Sequence, residues 1–266
     1  MIDLHTHNFR CGHAEGEIED YINEAIKKEF KYIGVTDHAP LLVDSYRKKY
    51  EQLHMKEADL ESYYKKAYQL KKTYKRDIDV LIGLEVDYIE GTTNRYLQLL
   101  KNYNFDFLIG GVHYFDGYHL YDEKRWNEYK NIDKVYEKYF KLVKQAIESK
   151  MFDIIAHLDS LKATNHLPEV KNYNKMIREV SRIISKNDIV VEINTSGLRK
   201  CNELFPSLDI IKLLAKKNIA LTYGSDAHNP SQVGYKWEYV KNSLLNNGIN
   251  QLTVIKERKK ENIIIS

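Results

Sequence analysis

Short apolar segments alternate with amphipathic segments along this chain, and this rhythm restricts the fold more than any other feature. Seven segments that are apolar or rich in β-branched residues are typical of buried strands: residues 1–4, 32–36, 80–84, 107–112, 152–156, 189–193 and 219–223. Apolar residues recur at helical spacing over residues 18–26, 58–76, 132–147, 172–186, 207–217 and 234–246. Strand alternating with helix requires parallel strands and right-handed crossovers, so the sequence predicts an α/β fold.

No Gly/Ser-rich linker or abrupt change of composition divides the chain. We therefore expect a single domain over residues 1–266. Near the end, residues 252–255 and 263–265 flank a charged turn at 256–260. This pattern predicts a surface hairpin with solvated charges rather than a binding arm.

Charge and cysteine content exclude several classes of function. The 41 Lys and Arg against 38 Asp and Glu give a formal charge of +3, too near balance for an electrostatic tether to nucleic acid or an anionic membrane. Cys11 and Cys201 lie far apart without a CxxC pair, so neither a disulfide framework nor a zinc ribbon is expected. The sequence has no run of about 18 apolar residues, so we expect a cytoplasmic protein, and both cysteines are expected to be free thiols. The near-balanced charge leaves a small acidic substrate possible.

The placement of the ten histidines is the second informative pattern. His5 and His7 directly follow the first strand, where a period of two points both rings to one side. The other candidate residues also follow or end predicted strands: His38, Glu85, His113, His157, Asp226 and His228. The carboxyl ends of parallel strands meet at one face, which is where α/β barrels carry their active sites. Each residue alone has an ordinary structural explanation, but one shared metal site explains all of them.

The remaining polar candidates receive weaker assignments. His54, His119 and His166 lack this position at strand ends and are expected to be structural, although His119 could line the mouth of a pocket. Asp3, Asp37 and Asp159 each lie within two residues of a candidate ligand. We expect them to accept the second ring N–H of a histidine and so fix its tautomer.

This set of side chains favours a particular chemistry. Imidazoles with carboxylates and no thiolate motif favour Zn²⁺, Fe²⁺ or Mn²⁺ over Ca²⁺, and their number exceeds what one tetrahedral ion can use. Two or three ions are therefore expected, and a pair about 3.5–4 Å apart suits phosphoester hydrolysis. The sequence has no Walker loop, no GxGxxG after a strand and no GxSxG, so signatures of nucleotide-driven transfer, dinucleotide redox chemistry and a serine nucleophile are absent.

The motifs resemble those of the PHP (polymerase and histidinol phosphatase) superfamily and, within it, the monofunctional histidinol-phosphate phosphatases. The match runs from residue 3 to about residue 260. The residues that carry it are, in order, Asp3-Leu4-His5-Thr6-His7, Cys11-Gly12-His13-Ala14, Thr36-Asp37-His38-Ala39-Pro40, Gly83-Leu84-Glu85, Gly111-Val112-His113, Ala156-His157-Leu158-Asp159, the segment from Glu192 to Arg199, and Gly224-Ser225-Asp226-Ala227-His228.

The resemblance implies a distorted (β/α)₇ TIM-like barrel with three divalent metal ions at the carboxyl ends of its strands. The implied ligand sets are His5, His7, Glu85 and Asp226 for one ion, Glu85, His113 and His157 for a second, and His13, His38 and His228 for a third. Glu85 would bridge the first two ions, and Glu85, Asp226 and His228 would be catalytic.

The resemblance also implies a substrate and a reaction. L-histidinol phosphate would be hydrolysed to L-histidinol and inorganic phosphate, in histidine biosynthesis, by a hydroxide that bridges two ions. Arg199 would offer its planar guanidinium to phosphate oxygens. The alternative role for Arg199 is a salt bridge on the surface. Ser160 and Lys162 follow His157, where the family often has a basic contact, but they do not align clearly, so the second phosphate contact stays open.

Two other functions compete with this prediction. Related phosphoesterases and nucleases act on nucleotides or other phosphate esters, but a nuclease should present a basic stripe to its polyanionic substrate. A non-catalytic metal-binding or sensory protein should instead hold its metal in a closed shell of four ligands. We expect an enzyme with a small-molecule substrate, without nucleic-acid or membrane partners.

Overall fold

Seven parallel strands form the central sheet of the computed structural model, which describes residues 1–266. In spatial order they are β1 (Ile2–Asp3), β2 (Tyr32–Val35), β3 (Asp79–Asp87), β4 (Phe107–Gly111), β7 (Ile154–Ile155), β8 (Val190–Asn194) and β9 (Leu221–Gly224). Two antiparallel hairpins are separate from this sheet: β5 (Tyr114–Phe115) with β6 (Tyr118–His119), and β10 (Gln251–Lys256) with β11 (Lys259–Ile264). Every strand predicted from the sequence is present.

Hydrogen bonds between the first and last strands bring the sheet round into a barrel. The backbone N–H of Leu4 donates to the Tyr223 carbonyl at 2.9 Å, and that of His7 donates to the Ala227 carbonyl at 2.9 Å. All neighbouring strands pair in parallel. The predicted distorted (β/α)₇ barrel is therefore confirmed, with all seven carboxyl ends at one rim.

Helices connect the strands and cover the barrel. They are α1 (Ile18–Lys27), α2 (Asp44–Tyr50), α3 (Leu60–Thr73), α4 (Thr93–Leu100), α5 (Glu123–Trp126), α6 (Ile132–Glu148), α7 (Val170–Asn187), α8 (Ser196–Lys200), α9 (Leu208–Ala215) and α10 (Trp237–Leu245). The six predicted helices are confirmed, whereas the short helices α2, α4, α5 and α8 were not predicted, because segments this short show little periodicity. None of these helices combines the length and the apolar composition that a membrane span requires.

The helices pack on the sheet through the apolar stripes seen in the sequence. In α6 the stripe buries Val135, Tyr139, Phe140 and Val143, while the side chain of Asn131 accepts from the Lys134 N–H and caps the helix start. Together with the strands, these side chains form one continuous core cluster. The rigid barrel below the rim can therefore hold side chains in fixed positions.

The C-terminal hairpin lies at the opposite end of the barrel from the carboxyl rim. Lys256 pairs with Asp79 at 3.2 Å, Arg258 with Asp153 at 3.1 Å, and Lys260 with Asp188 at 2.7 Å. Each of these aspartates begins or precedes a barrel strand. The predicted surface hairpin is confirmed, and its charged turn is largely exposed as expected. Three of its basic residues in addition pair with acids that are distant in sequence.

Asp106 anchors the same end of the barrel, and its replacement should destabilise the fold. This buried carboxylate accepts from the Ile82 N–H at 2.8 Å and the Glu257 N–H at 3.2 Å, and pairs with Lys71. We expect Asp106→Asn to lower the free energy of unfolding by about 2–3 kcal/mol, because hydrogen bonds to a charged acceptor are lost. Urea unfolding measures the change. Asp209→Asn, whose side chain is 89% exposed, is the control, and equal stability of the two variants would contradict the prediction.

Candidate metal centre

A cavity of about 390 Å³ opens at the carboxyl rim of the barrel. Almost all of the residues that line it are polar or charged, and His5 and His7 lie buried within the same group of side chains. The structure brings together all nine residues that the sequence singled out as metal ligands: His5, His7, His13, His38, Glu85, His113, His157, Asp226 and His228. Parallel pairing explains this convergence, because each residue stands at or beyond a strand end.

Glu85 lies at the centre of this group, near the end of β3, and its two carboxylate oxygens face different histidines. Oε2 lies 3.3 Å from His5 Nε2 and 3.7 Å from His7 Nε2. Oε1 lies 2.9 Å from His157 Nε2 and 3.9 Å from His113 Nε2. His38 Nδ1 also lies 3.0 Å from Oε2, so each oxygen of the carboxylate faces its own group of imidazoles, which is the arrangement that a bridging ligand requires.

Asp226 completes the group around His5 and His7. Its Oδ1 lies 3.1 Å from His7 Nε2 and 3.9 Å from His5 Nε2. The loop after β9 is tied to the loop after β1, because the Asp226 N–H donates to the His5 carbonyl at 2.9 Å. The ligand atoms of these three residues all lie within 4.8 Å of one another.

The third predicted set, His13, His38 and His228, is arranged less compactly. His13 Nε2 faces His228 Nε2 at 2.9 Å. The nitrogens of His38 and His228 group within 4.8 Å with His7 rather than with His13. The rings of His38 and His228 both stack against His7, with centroid distances of 4.3 and 4.2 Å. His13 therefore reaches this group through His228.

The hydrogen-bond state of these nitrogens tests whether the residues fit divalent cations. His113 Nε2 faces His157 Nε2 at 3.2 Å. Two ring nitrogens at this distance attract each other only if one of them carries a proton, or if a cation lies between them. His5 Nε2 and His7 Nε2 are buried with no hydrogen-bond partner. Buried polar atoms without a partner are costly, and a cation with nitrogen and oxygen ligands would satisfy these. The residues therefore fit divalent metal ions.

Carboxylates behind the histidines orient their rings, and they are not all the ones predicted. Glu192 Oε1 lies 2.6 Å from His5 Nδ1, and Glu192 Oε2 accepts the His157 backbone N–H at 3.0 Å. Asp87 Oδ1 lies 2.8 Å from His113 Nδ1. A Cβ on Gly224 would collide with Glu192, so glycine at this position makes room for the carboxylate. The spacing Glu85-Val86-Asp87 on one strand face is a signal that could have indicated Asp87.

The three aspartates predicted for this orienting role behave differently. Asp37 Oδ1 lies beside His7 Nδ1 at 3.5 Å, the position expected for this role, but makes no hydrogen bond with it and accepts the His38 backbone N–H at 3.0 Å. Asp3 instead accepts backbone N–H groups of Ser225 and Gly234, and burial raises its pKa to about 6 despite these bonds. Asp159 pairs with Lys162 at 3.0 Å. The expectation is wrong for Asp3 and Asp159, whose carboxylates hold loops rather than imidazoles.

Electrostatics keep the central carboxylates ionised. Burial alone would raise the pKa of Glu85, but the imidazoles around it outweigh burial and hold the pKa well below its usual value. Asp226 has the same balance, with His5 and His7 holding its pKa well below the usual range against burial. Burial, reinforced by His7, lowers the pKa of His228 well below its usual value. Ionised carboxylates and the neutral imidazole of His228 are in states that bind metal ions. Against burial, the carboxylates of Glu192, Glu85 and Asp226 raise the pKa of His5 well above its usual value, so a cation would displace a proton there.

Replacing Glu192 should weaken metal binding although the side chain is not among the candidate ligands. We expect Glu192→Gln to lower metal affinity by about 10- to 100-fold, because orienting partners of ligating histidines contribute that much. Competition with a chromophoric chelator measures it. Glu203→Gln, at a side chain that is 55% exposed, serves as the control. Wild-type affinity in Glu192→Gln would contradict the role of this carboxylate.

Basic residues near the rim differ in how far they are already engaged. Arg199 lines the cavity, and its Nη2 donates to the carbonyls of Ser225 and Asp226 at 3.1 and 3.0 Å. No salt bridge forms at Arg199, so the alternative of a surface ion pair is wrong. Lys162 donates its hydrogen bonds to residues outside the cavity. Lys200, whose role the sequence pattern did not indicate, lines the cavity instead.

The histidines expected to be structural lie in three different settings. His54 is buried and bonded through Nδ1 to the Ala39 carbonyl and through Nε2 to the Tyr114 hydroxyl, while also lining the cavity. His119 lines the cavity, as its alternative assignment allowed. His166 lies outside it and stacks on Trp126 at 5.0 Å.

Comparisons with known proteins agree with the fold and with the motifs. The family model described as PHP domain matches residues 3–196. A curated relative from Deinococcus radiodurans named probable histidinol-phosphatase is 30% identical over 243 residues, which are 89% of this chain and 90% of that protein. The Bacillus subtilis protein named histidinol-phosphatase is also 30% identical, over 89% of this chain and 96% of its own length.

A solved structure supports the same architecture. The histidinol phosphate phosphatase from Lactococcus lactis, solved in complex with zinc, L-histidinol and phosphate, superposes with a TM-score of 0.84 at 19% identity and covers 98% of each chain. At this identity the likeness establishes the fold. The family model covers well over half of the residues, and the chain therefore belongs to the PHP domain family.

Proposed function

We propose that this protein is a metal-dependent phosphomonoesterase that hydrolyses L-histidinol phosphate to L-histidinol and inorganic phosphate. The observation that carries the reaction class is the position of Glu85, with one carboxylate oxygen toward His5 and the other toward His157. The names of the two relatives that are 30% identical support the substrate. The L-histidinol and phosphate bound in the Lactococcus lactis protein support the same substrate.

The proposed cofactor is a group of two or three divalent ions of zinc, iron or manganese. His5, His7, Glu85 and Asp226 would hold one ion; Glu85, His113 and His157 a second; and His13, His38 and His228 a third. When bound, such ions supply an acidified water as nucleophile and neutralise the charge of a phosphoryl group. The unpartnered ring nitrogens of His5 and His7 support this assignment.

The chain's own residues would place and neutralise the substrate. Glu85 and Asp226 supply fixed negative charge to balance the cations, and Glu192 and Asp87 keep the imidazoles in the orientation that binding needs. Arg199 has one buried nitrogen, Nη1, without a partner, and a guanidinium so placed can bind a phosphate oxygen. His228, part of the proposed catalytic set, would act as a ligand at the rim: its Nδ1 faces the Asp226 carbonyl at 3.0 Å, which leaves Nε2 for a cation.

The proposed unit of function is the whole chain. The barrel strands supply the ligands, and the hairpin β10–β11 pairs with acids at the other end of the barrel. We therefore propose that residues 1–266 act as a single PHP-type domain.

Release of inorganic phosphate from L-histidinol phosphate, compared with p-nitrophenyl phosphate and AMP, tests the substrate. We expect the highest kcat/KM with L-histidinol phosphate in the metal-loaded protein. Activity on AMP or p-nitrophenyl phosphate alone would leave a metal-dependent phosphoesterase with another substrate. Full metal content without any turnover would favour a non-catalytic metal protein.

A further inference from the structure

Lys162 follows His157 in the chain and is one candidate for the second contact to phosphate. Its ammonium group has no free hydrogen-bond donor. Its ammonium group donates to Asp159 Oδ2 at 3.0 Å and to the Leu204 carbonyl at 2.6 Å, and pairs with Glu203 at 2.7 Å. An ammonium group has three N–H donors and no more. Lys162 does not line the cavity either, so it cannot contact a phosphoryl group there without breaking these bonds.

Lys200 is placed in the opposite way. It is the last residue of α8 and, with Arg199, one of the two Lys or Arg side chains that line the cavity. Its Nζ lies 4.9 Å above the centre of the Tyr121 ring and makes no hydrogen bond with the protein. The side chain is 41% exposed, so the ammonium is open to a ligand entering the cavity.

The acid nearest to Lys200 forms only a long ion pair with it and makes no hydrogen bond. Lys200 Nζ lies 4.0 Å from Asp226 Oδ2, beyond hydrogen-bond distance. That oxygen already accepts the Ser196 hydroxyl at 2.9 Å, while Oδ1 faces His7 at 3.1 Å. The ammonium therefore stands beside the candidate metal ligands with its donors unused.

We propose that Lys200 binds a non-bridging oxygen of the substrate's phosphoryl group and so provides the second basic contact beside Arg199. The inference deepens the proposed phosphomonoesterase function and rests on it. Two adjacent cations favour a phosphate monoester dianion, because each can donate to a separate oxygen. Lys200 is a binding residue of the site, and its ammonium lies over the Tyr121 ring.

Titration of inorganic phosphate into the metal-loaded protein tests this assignment without turnover. We expect Lys200→Met to weaken phosphate binding by about 10- to 100-fold, as loss of a charge-assisted hydrogen bond does. We expect Lys200→Arg to restore most of the affinity. Lys212→Met is the matched control, because that side chain is 37% exposed and lies on α9 away from the cavity. Metal content should stay equal in all variants, and Lys200→Gln repeats the test should Lys200→Met unfold.

Steady-state kinetics separate binding from a structural role. Loss of Lys200 should raise KM for L-histidinol phosphate more than it lowers kcat. Unchanged phosphate affinity in Lys200→Met, loss of metal in that variant, or no phosphate binding by the wild type would each overturn the proposal. Phosphate binding that depends on Lys200, in a protein that leaves histidinol phosphate intact, would uphold the contact and reject the proposed substrate.

Discussion

Glu85→Gln is expected to lower kcat/KM for phosphate release by at least about 1,000-fold and to reduce the bound metal. The substitution keeps the shape of the side chain but removes the charge that stands between His5 and His157. Bridged ions supply several kcal/mol of transition-state stabilisation, and each 1.4 kcal/mol is a factor of ten in rate. Phosphate release and elemental analysis on the same sample measure both effects.

Glu61→Gln is the matched control for this substitution. Glu61 is 65% exposed and pairs only with Lys65 on the surface of α3, so activity and metal content should equal those of the wild type. Glu85→Gln protein with wild-type metal content and turnover would contradict the bridging assignment.

Removing the metal is expected to destabilise the protein by about 4 kcal/mol or more under conditions where free metal exceeds its Kd about 1,000-fold. For a chain of this size that corresponds to a fall in Tm of about 10 °C. The physical reason is that buried nitrogens such as His7 Nε2 and buried carboxylates such as Asp226 lose their counterpart. Calorimetry of loaded, chelated and reloaded samples measures the shift.

Glu85→Gln provides the internal comparison for this stability change. Because its central ligand is missing, we expect metal to raise the Tm of this variant by less than half of the wild-type increment. Equal Tm values for loaded and chelated wild type, with metal content confirmed in the loaded sample, would contradict a metal site built into the core.

The positions of the candidate ligands were predictable because they depend on rules that act locally. Apolar runs such as residues 80–84 identify strands, and parallel pairing fixes which end of each strand faces the rim. Glu85 and His113 could therefore be placed near each other without knowing any side-chain rotamer. The short helix α8 could not be predicted, because its five residues carry no periodic pattern.

The supporting residues were harder to predict because their partners are far away in sequence. Glu192 lies inside an apolar strand, where the sequence gives no sign of the side chain that it contacts. Its partner, His5, is 187 positions away in the sequence. Lys162 and Lys200 differ only in what surrounds them, and that depends on packing. Asp106 accepts hydrogen bonds from the backbone N–H groups of Glu257 and Arg258, and it meets them only because the barrel brings the C-terminal hairpin to the starts of the strands.

The most direct test of metal-dependent histidinol-phosphate hydrolysis is kcat/KM for L-histidinol phosphate on chelated protein and on the same protein after reconstitution with zinc, iron or manganese. We predict turnover that falls by at least about 1,000-fold on chelation, returns with a divalent ion and exceeds turnover of p-nitrophenyl phosphate and AMP. Undiminished turnover in protein shown to be free of metal, or no turnover of L-histidinol phosphate after full reconstitution, would contradict it.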